Sequence, residues 1–271
     1  MNRYTVTDGK EAETYKLKDS KGNTLTVNGF EKNPITNIPY IAGRIINKKF
    51  SWKYGTGRDY RKGTYIGVFS LAINGFEKEK IKENFSYWEN SDEIEPNGRI
   101  KDLDAFLIPA TVSQDSLGNI YYAGNTLQKK ARIGAVIASV ILSPLIFISP
   151  FIIGQNGTNK YRINDAAILK QTSKGGLTIV EKFEKKASGY NLANVPVYSF
   201  NTNNYYLSLF NPSTKSDVII FRDSKDYKIY DLSKKKITRT IPAGYNTSVF
   251  PAKEGHLMIV ENNSKEKYTK L

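Results

Sequence analysis

The chain contains no cysteine and only one histidine. The first absence removes disulfides, thiol nucleophiles, cysteine–zinc centres and a lipid-modified cysteine within this numbering. The second leaves a Ser-His-Asp arrangement a single possible base and a multi-histidine metal site none. That histidine, His256, stands in EGHLMIV at the turn-side start of a predicted strand, where a structural role suffices. No metal and no cofactor is expected.

Patterned carboxylates are scarce too. Asp92, Glu93, Glu95, Asp102 and Asp104 lie close together, but their spacing is not that of an EF-hand calcium loop. A solvated acidic loop is the preferred reading, with a carboxylate pair for glycoside hydrolysis as the alternative. Carboxylate-only chemistry stays open, yet the sequence points away from an enzyme. The opening MNRYTVTDGKEAETYKL has no apolar run of the signal-peptide kind. Either the protein is made without a leader or the numbering begins after one is removed.

What is present is one long stretch without charge. Residues 133–159 carry none, in a chain where 24% of positions are charged. As a helix at ~1.5 Å per residue, the apolar part 133–154 spans roughly 33 Å, about one bilayer core. Ile133, Val136, Ile137, Val140, Ile141, Leu145, Ile146, Phe147 and Phe151 supply its bulk, and Pro144 and Pro150 would kink it. Lys129, Lys130 and Arg132 precede it, while the far flank stays neutral until Lys160. The positive-inside bias then puts the first half in the cytoplasm and the second outside, unless a leader has been removed.

This segment divides the chain into β-rich domains at 1–132 and 155–271. The predicted fold is mainly β, two small antiparallel sandwiches separated by one hydrophobic, transmembrane helix. In the first half, YKLKDSKGNTLTV reads as strand, turn, strand, and Asp115-Ser116-Leu117-Gly118-Asn119 turns a second hairpin. Pro34 and Pro39 suggest an irregular or edge segment, KKFSWKY a strand, and EKEKIKENFSYW a short helix with Ile81, Phe85 and Trp88 on one face. In the second half, VIIF, YKIYDL, ITRTI, TSVF and HLMIV are five strands joined by polar turns.

The net charge of +14 favours polyanions: acidic lipid, anionic wall polymer or nucleic acid. Its most suggestive expression is residues 43–67, where Arg44, Lys48, Lys49, Lys53, Arg58, Arg61 and Lys62 are interleaved with Trp52 and other aromatic residues. Cations beside flat rings suit phosphates and bases. A strand pair with lysines facing water explains the same alternation and ranks first. An anionic lipid or polymer contact ranks second, and nucleic acid last. Lys234, Lys235, Lys236 and Arg239 form a second basic patch, read as a turn.

Near the C-terminus, Ile241-Pro242-Ala243-Gly244 and Glu254-Gly255-His256 resemble the turns of small PEGA-type surface β-domains. The resemblance implies a non-catalytic adhesion or scaffolding module of the envelope. The whole reading is therefore a non-enzymatic, membrane-anchored protein of a bacterial envelope, a structural or adaptor subunit with protein partners. The first alternative is a subunit of a secretory or viral assembly whose partners bury the apolar helix. The second is a binder of nucleic acid or an anionic polymer through residues 43–67.

Overall fold

The structure, a computed structural model, describes residues 3–7, 12–16, 18–50, 57–75, 77–131, 159–186, 189–192, 205–244, 247–252, 255–261 and 265–270. Strands dominate, and each described pairing between them is antiparallel. β1 (Arg3–Thr7) and β2 (Ala12–Lys16) form a separate hairpin. β3 (Thr24–Lys32), β4 (Pro39–Ile46), β5 (Tyr65–Ile73) and β6 (Ile81–Tyr87) make a first sheet in chain order, with the short helix α1 (Gly57–Arg61) between β4 and β5.

The central sheet runs β11-β10-β9-β8-β7, built from β7 (Arg99–Ile100), β8 (Ala105–Gln114), β9 (Ile120–Ala131), β10 (Asn159–Gln171) and β11 (Leu177–Phe183). β12 (Gly189–Leu192) also pairs with β10. A third sheet contains β13 (Tyr206–Asn211), β14 (Ser216–Asp223), β15 (Asp226–Asp231) and β16 (Lys236–Pro242). The fourth contains β17 (Thr247–Pro251), β18 (His256–Glu261) and β19 (Lys265–Lys270).

Period-two alternation explains how the sheets stack, because successive side chains point to opposite faces. On β9, Ile120 and Tyr122 pack with Tyr40, Ala42 and Val68 of the first sheet. Their neighbours Tyr121 and Ala123 pack with Ile219, Phe221 and Tyr230 of the third. The third sheet's other face, Val218, Ile220 and Ile229, meets Val249, Leu257 and Ile259 of the fourth. The central sheet is thus apolar on both faces and buried between two others.

Its register overturns the expected division by a membrane helix. β9 precedes the apolar run and β10 follows it, yet the two are neighbours, paired from Gln171↔Ile120 to Asn159↔Ala131. The residues on either side of the run therefore share one sheet, and a single helix spanning a bilayer between them would hold their ends tens of ångströms apart. No helix among the described residues is long and apolar enough to cross a membrane. The membrane and transmembrane-helix reading is corrected accordingly. The predicted contacts of Ile133, Val136, Ile137, Val140, Ile141, Leu145, Ile146, Phe147 and Phe151, and of Arg132, lie outside the described residues.

Smaller expectations also change. The segment predicted as a helix is a 3₁₀ turn, Lys78–Lys80, followed by β6. Ile81, Phe85 and Tyr87 pack on one side of it, which is strand periodicity; the helical spacing to Trp88 arises because a turn begins there. Pro39 opens β4, which is an interior strand, at the end where a missing N–H is tolerated. Of KKFSWKY, residues 48–50 form a turn, and the remainder lies outside the described residues. The Asp115–Asn119 reversal and the five C-terminal strands stand where the pattern put them, although the last two belong to a separate sheet.

Candidate functional site

Among the described residues, the basic and aromatic stretch places its cations at separate points of the fold. On β4, Ile41 and Ile45 pack into a buried cluster with Leu25, Phe69 and Leu71 on the face of the first sheet away from the central one, so Arg44, between Gly43 and Ile45, faces the space between the first and central sheets. Its guanidinium lies 4.1 Å from the Tyr65 ring centroid and 5.7 Å from that of Tyr60, and Nη1 donates to the Tyr60 hydroxyl. Burial opposes the charge, but the two phenol oxygens outweigh it and hold the guanidinium above its ordinary pKa. The same burial pushes the Tyr65 phenol up to about 12. Arg44 Nε is buried and has no hydrogen-bond partner among the described residues. This is a cation used as a flat packing group.

The other predicted contacts are dispersed. Lys48 and Lys49 sit in the turn after β4, and Lys48 Nζ donates to the Lys21 carbonyl at 2.9 Å. Arg58 and Arg61 belong to α1, and Lys62 follows it, exposed. Trp52 and Lys53 lie outside the described residues.

Three carboxylates of the acidic group, Glu95, Asp102 and Asp104, are tied into ion pairs. Arg99 Nη2 meets Glu95 at 2.6 Å and its Nη1 meets Asp104 at 2.5 Å, while Lys182 meets Asp102 at 2.8 Å. Glu93 accepts from the Ile179 amide at 2.5 Å. These bonds fasten the loop before β8 to β11, and they hold the Glu95 and Asp102 carboxyls below the ordinary range. These four side chains are committed to structure.

At the foot of the apolar run, basic residues from both flanks meet. Lys160 pairs in register with Lys130, and Tyr161 with Lys129, with Arg162 one step further along β10. The charge asymmetry of the linear sequence is absent in space: the two flanks meet at one end of the β9–β10 pair.

Two concavities flank the β8–β9 turn, which sequence reasoning singled out only as a hairpin. Asp115 organises that turn: Oδ1 accepts from the Leu117 and Asn119 amides at 3.0 and 2.9 Å, and Oδ2 from Asn119 Nδ2 at 2.7 Å. Gly118 takes φ +78°, the left-handed region that suits glycine. One cleft opens where the first and central sheets splay apart, a cavity of about 240 Å³ lined by Ser70, Lys82, Asn84, Gln114, Leu117 and Ser173 among others. The other, about 180 Å³, lies on the opposite side of the turn against the third sheet, with Ile35, Tyr121, Phe210, Lys215 and Asp217 in its wall. Gln114, Asp115 and Ser116 are common to both.

Asp217 is the most perturbed carboxyl here. Burial pushes it up to about 6, Asp115 nearby adds to the rise, and a hydrogen bond donated by Ser113 pulls the other way. It faces Tyr121 and Tyr40, whose phenols its charge helps to raise. A second buried ionisable group, Lys185, is pushed down to about 8 by burial, with Asn125 Oδ1 accepting from it at 2.9 Å and the Tyr206 ring 5.5 Å away. Neither was visible in the sequence, where an isolated Asp or Lys beside a strand looks solvent-facing. No group of carboxylates and histidine suited to a metal occurs among the described residues.

No protein-family model and no curated protein matches this chain. Among solved structures, a protein of unknown function from Bacteroides caccae is similar over 93% of this chain and 75% of its own, at 10% identity and a TM-score of 0.33. A likeness of that degree carries no argument about fold or function.

Proposed function

We propose that this chain is a non-enzymatic structural or adaptor subunit of a larger assembly, attached to a partner protein through the uncharged run 133–159. The observation that carries this reading is the pairing of Ala131 with Asn159. A run that leaves and rejoins a sheet at adjacent strands cannot connect two compartments as one span. It can present a large apolar surface on one side of the molecule. Such surface, left in water, costs about 25 cal/mol per Å², so a covering partner gains most of that back. The basic residues just before the run, Lys129 and Lys130, suit a partner with an acidic rim.

The ion pairs of Glu95, Asp102 and Asp104 support a non-catalytic role. Placement in a bacterial envelope rests on the resemblance of the Ile241–Gly244 and Glu254–His256 turns to PEGA-type domains. The test is to replace residues 132–158 by an Asn-Gly turn and compare the two chains by sedimentation without detergent. The reading predicts an associating full chain and a folded, monodisperse excised chain. A full chain that sediments as a monomer, indistinguishable from the excised form, would falsify it.

A further inference from the structure

The two clefts beside the β8–β9 turn have a chemistry unlike the rest of the surface. The chain carries +14, yet Lys82 and Lys215 in the cleft walls are balanced by Asp115 and Asp217. A polyanion site needs a cationic surplus, and this one lacks it. The remaining polar lining is amide and hydroxyl.

Two of those amides are held by one end. Gln114 Oε1 accepts from Asn33 Nδ2 at 3.1 Å, and Asn84 Nδ2 donates to the Thr172 carbonyl at 2.9 Å. The opposite ends, a donating nitrogen on Gln114 and an accepting oxygen on Asn84, meet no partner among the described residues, and both side chains line the first cleft. Ser70, Ser116 and Ser173 add hydroxyls to the same walls. A fixed donor beside fixed acceptors matches neighbouring sugar hydroxyls, each of which both donates and accepts.

The apolar parts complete the pattern. Tyr121 and Phe210 line the second cleft, and the rims carry Leu117 and Ile35, 76% and 45% exposed. Flat or aliphatic surface beside a few oriented polar groups is the usual make-up of a small-molecule site. We propose that the paired clefts bind a neutral oligosaccharide laid across the Gln114–Asp115–Ser116 wall. The site binds without cleaving. Asp115 spends its oxygens on its own turn and on the Tyr121 hydroxyl, and Asp217 receives the Ser113 hydroxyl, so no carboxylate is poised as a nucleophile.

The test begins with the full chain on an array of neutral glycans, followed by calorimetric titration of the strongest oligosaccharide. Heparin tetrasaccharide serves as the anionic control. Ser173→Trp fills the first cleft from an exposed position, and Gln114→Glu removes the free donor while keeping the bond from Asn33. Each is expected to weaken binding about tenfold or more; the thermal midpoint should stay nearly unchanged for the exposed Ser173→Trp and fall for Gln114→Glu, which sets a charge at a buried position beside Asp115. A blank array, binding of heparin alone, or neutral-glycan affinity that survives both substitutions overturns the proposal. None of these outcomes depends on whether the apolar run meets a partner.

Discussion

Ala131 and Asn159 are register partners on neighbouring antiparallel strands, with residues 132–158 of the chain between them. Partners in such a ladder have Cα atoms about 4.5–5.5 Å apart. The longest uncharged stretch of the protein therefore begins and ends at one place, at one end of the β9–β10 pair. That geometry decides what the stretch can do more firmly than its composition does.

The Asp217 carboxyl gives a pH dependence with a defined sign. Its folded-state pKa is raised from 3.8 to about 6, so the folded protein holds this proton more tightly than the unfolded chain. Between those values the folded state binds more protons, and stability falls as pH rises. The groups facing it are Asp115, Tyr121, Tyr40 and the Ser113 hydroxyl, with Lys215 in the same cleft wall. Asp217→Asn keeps the shape and removes the charge. We expect it to stabilise the protein at pH 7.5 by about 1–3 kcal/mol, and to flatten the loss of stability between pH ~4 and ~6. Urea unfolding across that range checks both.

Arg44 supports packing. Truncation by Arg44→Ala removes the plane stacked on Tyr65 and the donor to Tyr60, and leaves a void beside Phe106 and Leu169. The expected loss is about 2–4 kcal/mol in urea unfolding. Retention on heparin should change no more than for any single surface lysine. A variant that stays fully stable but loses heparin retention would return residues 43–67 to the status of a polyanion site.

Gly124 marks where two strands approach too closely for a side chain. A Cβ there would meet the Ile108 carbonyl oxygen at 1.9 Å, at the point where the β8–β9 register shifts between Pro109 and Thr111. Gly124→Ala should therefore cost about 3 kcal/mol or more, because both colliding groups are backbone and cannot rotate away. Thermal unfolding measures it, with Gly118→Ala as a milder comparison on the exposed turn.

The local elements were legible and the layers were not. Asp115 and Gly118 announce their hairpin because turn chemistry lies within five residues, and the strands from Val218 to Val260 stand out as short runs between polar turns. Pairing between distant strands leaves no such trace. Nothing near Lys130 reveals that Lys160 lies opposite, so the apolar run looked like a divider between domains. Alternation also misled where a charge faces inward: Arg44 occupies a core position on β4 and reads from sequence as solvent-facing. The clefts depend on Gln114 and Asn84, residues 30 positions apart in number, brought together by two different sheets.

The central claim, that both flanks of the apolar run are neighbours, has a direct test. Because the chain contains no cysteine, the double variant Lys130→Cys/Lys160→Cys reports on that contact without background. The expected Cα separation lies inside the ~4.4–6.8 Å range that a disulfide spans. The pair Lys228→Cys/Thr240→Cys, register partners on β15 and β16, serves as a positive control. Under mild oxidation the account predicts an intramolecular disulfide in both variants, seen as a reducible shift in gel mobility and confirmed by peptide mass. A control that closes while the 130–160 pair stays fully reduced would contradict it, and would restore a segment that holds its two ends apart.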